Sequence, residues 1–244
     1  MINNIPFGRI GSKRYLYKEI KNYIPPHETY IEGFFGGGAV FFLKDKVEKN
    51  IINDFDKKLM DDYRNILEIK EGDSTEDLHY FKTSVEIEEW VKNCRSTPIN
   101  DFIKAFYIRN CTFGSSGRGK YYKFYDPQNR VKKVPNYQAK LRDTIIHNED
   151  YKWVLEKYDS PTSWIFLDPP YENSKRLYKH YTIDFEELKN ILKKLKGKFL
   201  LTLNDSPLIR ETFKEFRIVE IEVRKTGNKG VGAKNRNELF IMNY

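Results

Sequence analysis

A chain of 244 residues with 43 Lys+Arg against 35 Asp+Glu carries a formal charge of +8, and its 39% hydrophobic residues supply enough apolar surface for a core. Intrinsic disorder is excluded as the default state, no apolar run approaches the length of a membrane span, and the first ten residues lack the apolar stretch of a secretory leader. Two cysteines and four histidines without CxxC or HExxH spacing make neither a zinc site nor a disulfide framework, so no metal, no membrane and a reducing, cytoplasmic compartment are expected.

In chain order, Tyr15 to Tyr23 reads as a helix ended by Pro25-Pro26. Tyr30 to Phe35 is a short apolar strand running into Gly36-Gly37-Gly38, and an apolar helix starts at Ala39. Asn50 to Asp54 is a second strand, ending in a carboxylate. Strand, glycine turn, helix and acid-ended strand, in that order, open a nucleotide-binding βαβ unit.

Helical patterning follows at Leu59–Leu67, Val85–Val91 and Ile99–Arg109. Between Gly117 and Arg142, eight basic residues then stand against one acid, Asp126, with Tyr121, Tyr122, Phe124, Tyr125 and Tyr137 among them. Rings interleaved with Lys and Arg suit a surface that stacks bases and tracks phosphates. The 17 Tyr and 17 Phe fit core filling equally well.

From residue 143 the α/β alternation resumes. Trp164–Leu167 is an apolar strand ending in Asp168-Pro169-Pro170-Tyr171, Phe185–Leu195 an amphipathic helix, Lys198–Leu203 a strand and Leu208–Phe216 a helix, with Ile218–Val223 and Glu238–Met242 as a closing strand pair. Continuous apolar strands separated by helices predict an α/β fold with a mostly parallel sheet covered on both faces. Residues 1–60 and 143–244 form its catalytic domain and 61–142 an insert.

The glycine turn lets backbone approach a ligand closely. Asp54, some twenty residues later at the end of the next strand, either accepts hydrogen bonds from the two ribose hydroxyls of a nucleoside or caps the following helix. Neither GxxxxGK[ST] nor a GxGxxG register is present. A nucleoside triphosphatase and a dinucleotide dehydrogenase are therefore disfavoured, and the nucleoside cofactor is one whose polar tail is not a phosphate.

Asp168-Pro169-Pro170-Tyr171 carries the most specific chemistry, because ligands of open α/β sheets bind at the carboxyl ends of strands. The amino group of adenine is a poor nucleophile, its lone pair being delocalised into the ring. Hydrogen bonds from that group to the Asp168 carboxylate and the Pro169 carbonyl localise the lone pair. Consecutive prolines fix φ and hold the carbonyl in place beforehand, and Tyr171 can stack on a base taken out of the helix.

These stretches, with Gly11-Ser12-Lys13-Arg14-Tyr15-Leu16, Tyr30 to Phe42, Ile52-Asn53-Asp54, Asn148 to Tyr151, Phe166 to Tyr171 and Asn237 to Ile241, resemble the Dam-type (D12 class) adenine-specific DNA methyltransferases in the family's order. The resemblance implies a Rossmann-like S-adenosylmethionine-dependent fold with an antiparallel final strand and a helical, basic target-recognition insert. It implies that Lys13 and Asp54 contact the cofactor, that Glu32 with Gly36 and Gly38 shapes its amino-acid end, that Asp150 lies near its adenine, and that Asp168 lies against both cofactor and target base. Phe34 and Arg9 complete the cofactor-binding candidates. Arg9 takes a position where the family commonly carries an aromatic. Gly33 replaces the Pro of the common EPF form, which is expected to loosen the turn.

In the insert, Arg109 and Arg118 are candidates for base contacts, since Arg reads guanine bidentately. Lys120, Lys123, Arg130, Lys132 and Lys133 join them as DNA-binding candidates on the phosphate backbone. The acid-free, glycine-rich stretch from Lys225 to Arg236 is expected to close over bound DNA.

Together these readings predict methyl transfer to the 6-amino group of adenine in double-stranded DNA after base flipping, with no covalent enzyme intermediate and with Asp168, Pro169, Pro170 and Tyr171 as the catalytic set. Two alternatives stay open: amino-methylation of cytosine or of an RNA adenine, and a catalytically silent DNA-binding module. A cognate restriction endonuclease acting on the same site would be a partner, and the chain would work as a monomer or weak dimer.

Overall fold

A computed structural model describes residues 5–9, 11–112, 120–121, 123–171, 183–223 and 236–244. Seven strands and ten α-helices follow in chain order among them: α1 Tyr17–Ile20, β1 Thr29–Glu32, α2 Ala39–Leu43, β2 Lys49–Asn53, α3 Lys57–Glu68, α4 Ser84–Asn93, α5 Pro98–Cys111, α6 Gln128–Val131, α7 Val134–Leu141, β3 Thr144–His147, α8 Tyr151–Tyr158, β4 Ser163–Leu167, α9 Phe185–Leu192, β5 Lys198–Asn204, α10 Pro207–Thr212, β6 Arg217–Val223 and β7 Arg236–Met242. The predicted strands and helices are present, with ends shifted by a few residues. The helix expected over Tyr15–Tyr23 is one α-helical turn followed by a 3₁₀ turn, Lys21–Tyr23.

The chain forms two compact units. One comprises Met1–Tyr17, Gly36–Lys46 and Asp56–Asn148, the other Lys18–Phe35, Val47–Phe55 and Glu149–Tyr244. The basic 61–142 segment lies wholly in the first unit, which also takes the N-terminal segment and the glycine turn with α2.

In the second unit six strands are hydrogen-bonded in the order β2-β1-β4-β5-β7-β6. β2, β1, β4 and β5 run parallel, and β7 inserts antiparallel between β5 and β6. β4 is buried at every position and β5 at all but its two ends. That is the burial of strands covered on both faces, and it explains why both read as unbroken apolar runs. Trp164, Phe166, Phe199 and Leu200 form the centre of this core.

The first unit is helical. α3 is capped by Asp56, whose carboxylate accepts from the Leu59 amide at 3.0 Å, and α5 by Thr97 with Pro98 in its first turn. Its core is aromatic: Phe7 meets Tyr63 edge-on at 5.0 Å, and Phe42, Phe81, Phe102, Phe106, Tyr107 and Tyr137 are buried around them. Much of the Tyr and Phe content is thus core, which is one of the two readings composition allowed.

Candidate active site

Three acidic side chains stand at the carboxyl ends of three adjacent parallel strands of the second unit. Glu32 is the last residue of β1, paired with Ile52 on β2 and Phe166 on β4. Asp54 follows the last residue of β2, and Asp168 follows the last residue of β4. The registers align these ends, so Glu32, Asp54 and Asp168 share one edge of the sheet.

Each has a defined setting. Glu32 is 2% exposed, and the Tyr30 hydroxyl donates to its carboxylate at 2.7 Å. Residues two apart on a strand share a face, which makes this pairing local to β1. Asp54 is half-buried and lies outside α3, whose cap is Asp56; the capping alternative therefore falls to the residue two positions on. Asp168 is half-buried, and one of its carboxylate oxygens accepts from the Thr202 hydroxyl on β5 at 3.0 Å. Pro169 is buried and Pro170 half-buried beyond it.

Tyr171 donates its hydroxyl to the Glu238 carboxylate on β7 at 2.9 Å. Its acidity is pushed well below that of an ordinary phenol, first by burial and then by the negative charges of Asp168 and Glu238. Tyr171 therefore stays protonated and acts as a donor at neutral pH.

Asn53 joins the loops at this edge. Its buried amide donates to the Gly33 and Glu149 carbonyls at 3.1 Å each, and its oxygen accepts from the Glu149 amide at 2.9 Å. Phe34 lies against Tyr151, with ring centroids 4.8 Å apart. Asp150 caps α8 by accepting from the Lys152 amide at 2.9 Å. Gly33 does not loosen the turn as expected. Its amide donates to the Phe166 carbonyl at 3.3 Å, a bond proline cannot make, and a Cβ there would meet the Leu167 side chain at 2.9 Å.

In the first unit, Gly36 and Gly38 have φ of 50° and 62°, the left-handed region that glycine adopts without strain. Tyr63 donates to the Gly36 carbonyl at 3.1 Å, and a Cβ on Gly37 would meet the Phe7 carbonyl oxygen at 2.9 Å. Lys13 is buried, with its ammonium 3.3 Å from the Gly11 carbonyl. Arg9 pairs with Asp56 at 3.3 Å.

The basic candidates divide. Lys120, Lys123 and Lys132 are exposed. Arg109 is not: its guanidinium grips Asp62 through Nε at 2.9 Å and an Nη at 2.7 Å, with both side chains about nine-tenths buried. Arg130 lies over the rings of Phe106 and Tyr125, at 4.6 and 5.1 Å. Burial and the neighbouring Arg130 charge pull the Lys133 ammonium below its ordinary value. Arg118 and most of the 225–236 stretch lie outside the described residues.

Neither cysteine is set up as a nucleophile, since burial pushes the Cys111 thiol up to about 12 and also raises that of Cys94. Among the described residues no cluster of His, Cys, Asp and Glu could hold a metal ion, and no helix is long and apolar enough to cross a membrane.

Glu32, Asp54, Asp168 and Tyr171 are legible as site residues in the sequence, whereas Asn53, Thr202 and Glu238 carry no signal of their own there. Asn53 and Glu238 sat inside motifs already singled out. Thr202 is one threonine in a run of leucines, and only its place beside the end of β4 distinguishes it.

A mostly parallel sheet with one antiparallel insertion, acidic residues at adjacent strand ends and a glycine turn after the first strand is the Rossmann-like fold of S-adenosylmethionine-dependent methyltransferases. The chain belongs to the D12 class of N6 adenine-specific DNA methyltransferases, which it matches over residues 10–226, and it is an enzyme of that family. It is 28% identical to the type II methyltransferase M.CviBI of Paramecium bursaria Chlorella virus NC1A, covering 96% of this chain and 97% of that protein. It is 27% identical to the type II methyltransferase M1.LlaDCHI of Lactococcus lactis subsp. cremoris, covering 100% and 96%, and 20% identical to the DNA adenine methylase of Salmonella typhi, covering 96% and 92%.

Proposed function

We infer that the protein transfers a methyl group from S-adenosylmethionine to the 6-amino group of adenine in duplex DNA, after the base has been flipped out of the helix. The observation that carries this reading is Asp168, a half-buried carboxylate at the end of a central parallel strand, braced by Thr202 and followed by two prolines and Tyr171.

The residues fit the cofactor. Glu32, a buried carboxylate, suits the ammonium of an amino-acid group, and Asp54 suits the paired hydroxyls of a ribose. Phe34, Asp150 and Asp168 of the same unit complete its part of the cofactor set. Lys13, Gly36 and Gly38 are carried over from the family resemblance for the other unit, and the glycines' positive φ favours close backbone approach to a ligand. Arg9, paired with Asp56, is the weakest member.

Bound S-adenosylmethionine supplies an electrophilic methyl on a sulfonium, so the task left to the protein is to orient a weak nucleophile and keep water out. Asp168 and the Pro169 carbonyl accept the two amino hydrogens, which pulls the nitrogen toward tetrahedral geometry and turns its lone pair outward. Asp168 also faces the positive charge that builds on that nitrogen as its new C–N bond replaces the methyl–sulfur bond; S-adenosylhomocysteine is left behind, and the methylated amine sheds one proton to solvent. Pro170 stiffens the turn, and Tyr171 offers its ring to the base.

Lys120, Lys123 and Lys132, exposed, serve phosphate contacts; Lys133 and Arg130 lie beside them in sequence, and Arg118 remains the candidate for a base contact. Duplex DNA as substrate, a cytoplasmic location and a restriction endonuclease acting on the same site belong to this same reading. Digestion of the methylated DNA to nucleosides followed by mass analysis tests it. N6-methyl-2′-deoxyadenosine is the expected product, and N4-methyl-2′-deoxycytidine or an unmodified digest would contradict it.

A further inference from the structure

Two residues outside every assignment above hold the Asp168-Pro169-Pro170-Tyr171 segment at its two ends. Thr202 is wholly buried in β5; its hydroxyl lies 3.0 Å from one carboxylate oxygen of Asp168 and 3.4 Å from the Leu167 carbonyl, and it also hydrogen-bonds the Tyr171 hydroxyl. Glu238 lies on β7, where it is the register partner of Asn204, two residues beyond Thr202 on the same face of β5. Its carboxylate accepts the Tyr171 hydroxyl at 2.9 Å. Both residues sit on regular strands, so their side chains are held by the sheet rather than by the turn they touch.

We propose that Thr202 and Glu238 are positioning residues for methyl transfer, Thr202 setting the rotation of the Asp168 carboxylate and Glu238 setting the ring of Tyr171. This rests on the reading of Asp168 as acceptor of the amino group. A carboxylate at the end of a strand can rotate about its χ2 bond, and that torsion is broad. The Thr202 hydroxyl engages one oxygen and thereby limits that rotation. Buried threonine is an expensive way to fill a sheet interior unless its hydroxyl is bonded, and valine would fill the same space without that bond.

Glu238 acts differently. Tyr171 follows two prolines, which fix the path of the chain but not the side chain's torsions. A hydroxyl bonded to a carboxylate on β7, two strands along the sheet from β4, restrains the ring. Each residue therefore removes a freedom that would otherwise be lost when the base arrives.

The test is steady-state methylation of unmethylated plasmid DNA by full-length variants, with calorimetric titration of S-adenosylmethionine as a control for folding. Thr202→Val should lower kcat by about ten- to a hundredfold with KM for both substrates nearly unchanged, the signature of lost orientation rather than lost binding. Thr202→Ser, which keeps the hydroxyl, should restore kcat to within about threefold. Glu238→Met should lower kcat by about tenfold while Glu238→Gln, still an acceptor, keeps most of it. Tyr171→Phe combined with Glu238→Met should be slower than Tyr171→Phe alone by less than the Glu238→Met factor, because the phenylalanine has already removed the bond to Glu238 along with the one to Thr202.

Valine and serine variants of equal kcat, or additive Tyr171 and Glu238 effects, would overturn the proposal. If Thr202→Val fails to bind cofactor, Thr202→Ala replaces it in the comparison with Thr202→Ser, and the Tyr171 and Glu238 cycle still decides the Glu238 half. The underlying reading fails separately: Asp168→Asn with wild-type turnover would remove it, whatever Thr202 and Glu238 do.

Discussion

The strand ends of the second unit and the basic helices of the first use the same kinds of residue to different ends. At the strand ends, Glu32, Asp54 and Asp168 are carboxylates on one edge of a rigid sheet, each at the point where a strand stops. In the helical unit, Asp56 and Asp62 are also acidic, but Asp56 caps α3 and pairs with Arg9, while Asp62 pairs with Arg109 across α3 and α5. At the strand ends the printed partners of Glu32 and Asp168 are neutral hydroxyls, those of Tyr30 and Thr202. A charged residue inside a helical core must be neutralised locally or not be buried at all. What decides is the element that carries the charge, not the charge.

Four substitutions test that contrast. The largest effect belongs to Asp168→Ala, which should cut the methylation rate by at least about a thousandfold, because the lost acceptor acts on the reacting nitrogen itself; initial rates with labelled S-adenosylmethionine measure it. Next is Arg109→Met, which leaves Asp62 buried against one exposed lysine and should cost about 3 kcal/mol of stability. Denaturant melts measure this, and a melt identical to wild type together with altered sequence preference would return Arg109 to base reading.

Asp54→Ala follows. It should weaken S-adenosylmethionine binding by about ten- to a hundredfold in calorimetry, the worth of hydrogen bonds to a charged group, without moving the melting transition much. The smallest effect is that of Arg130→Ala. Losing its seat over Phe106 and Tyr125 should cost about 1 kcal/mol in the same denaturant melts, and a salt-dependent loss of DNA affinity instead would make Arg130 a phosphate contact.

Much of the second unit was legible because its physics is local. β4 announces itself as a continuous apolar run, and the acid-proline-proline-tyrosine that ends it has few structural uses. Gly36 and Gly38 were legible for the same reason, since two positive-φ positions in a short turn call for glycine. Thr202 and Asn53 were not. Their bonds cross from one strand or loop to another, and sequence spacing does not encode which strands are neighbours.

In the first unit, α7 was hidden in plain composition. Val134, Tyr137 and Leu141 are buried at helical spacing with Pro135 in the first turn, but the surrounding lysines and tyrosines invite a nucleic-acid reading of the whole stretch. α8 was similarly passed over although Asp150 caps it and Tyr151, Val154 and Leu155 form its buried stripe. Arg109 marks the limit of charge counting. Nothing in its neighbours Ile108 and Asn110 signals that Asp62, forty-seven residues earlier, closes on it.

Methyl transfer to adenine in this chain should depend on the carboxylate at the end of β4. Single-molecule sequencing of one unmethylated plasmid, treated with S-adenosylmethionine and either the wild-type protein or Asp168→Ala, tests it most directly. N6-methylated adenines within one short motif are expected after wild-type treatment and none after treatment with the variant. Methyl groups on cytosine, or the same adenine pattern from both proteins, would contradict it.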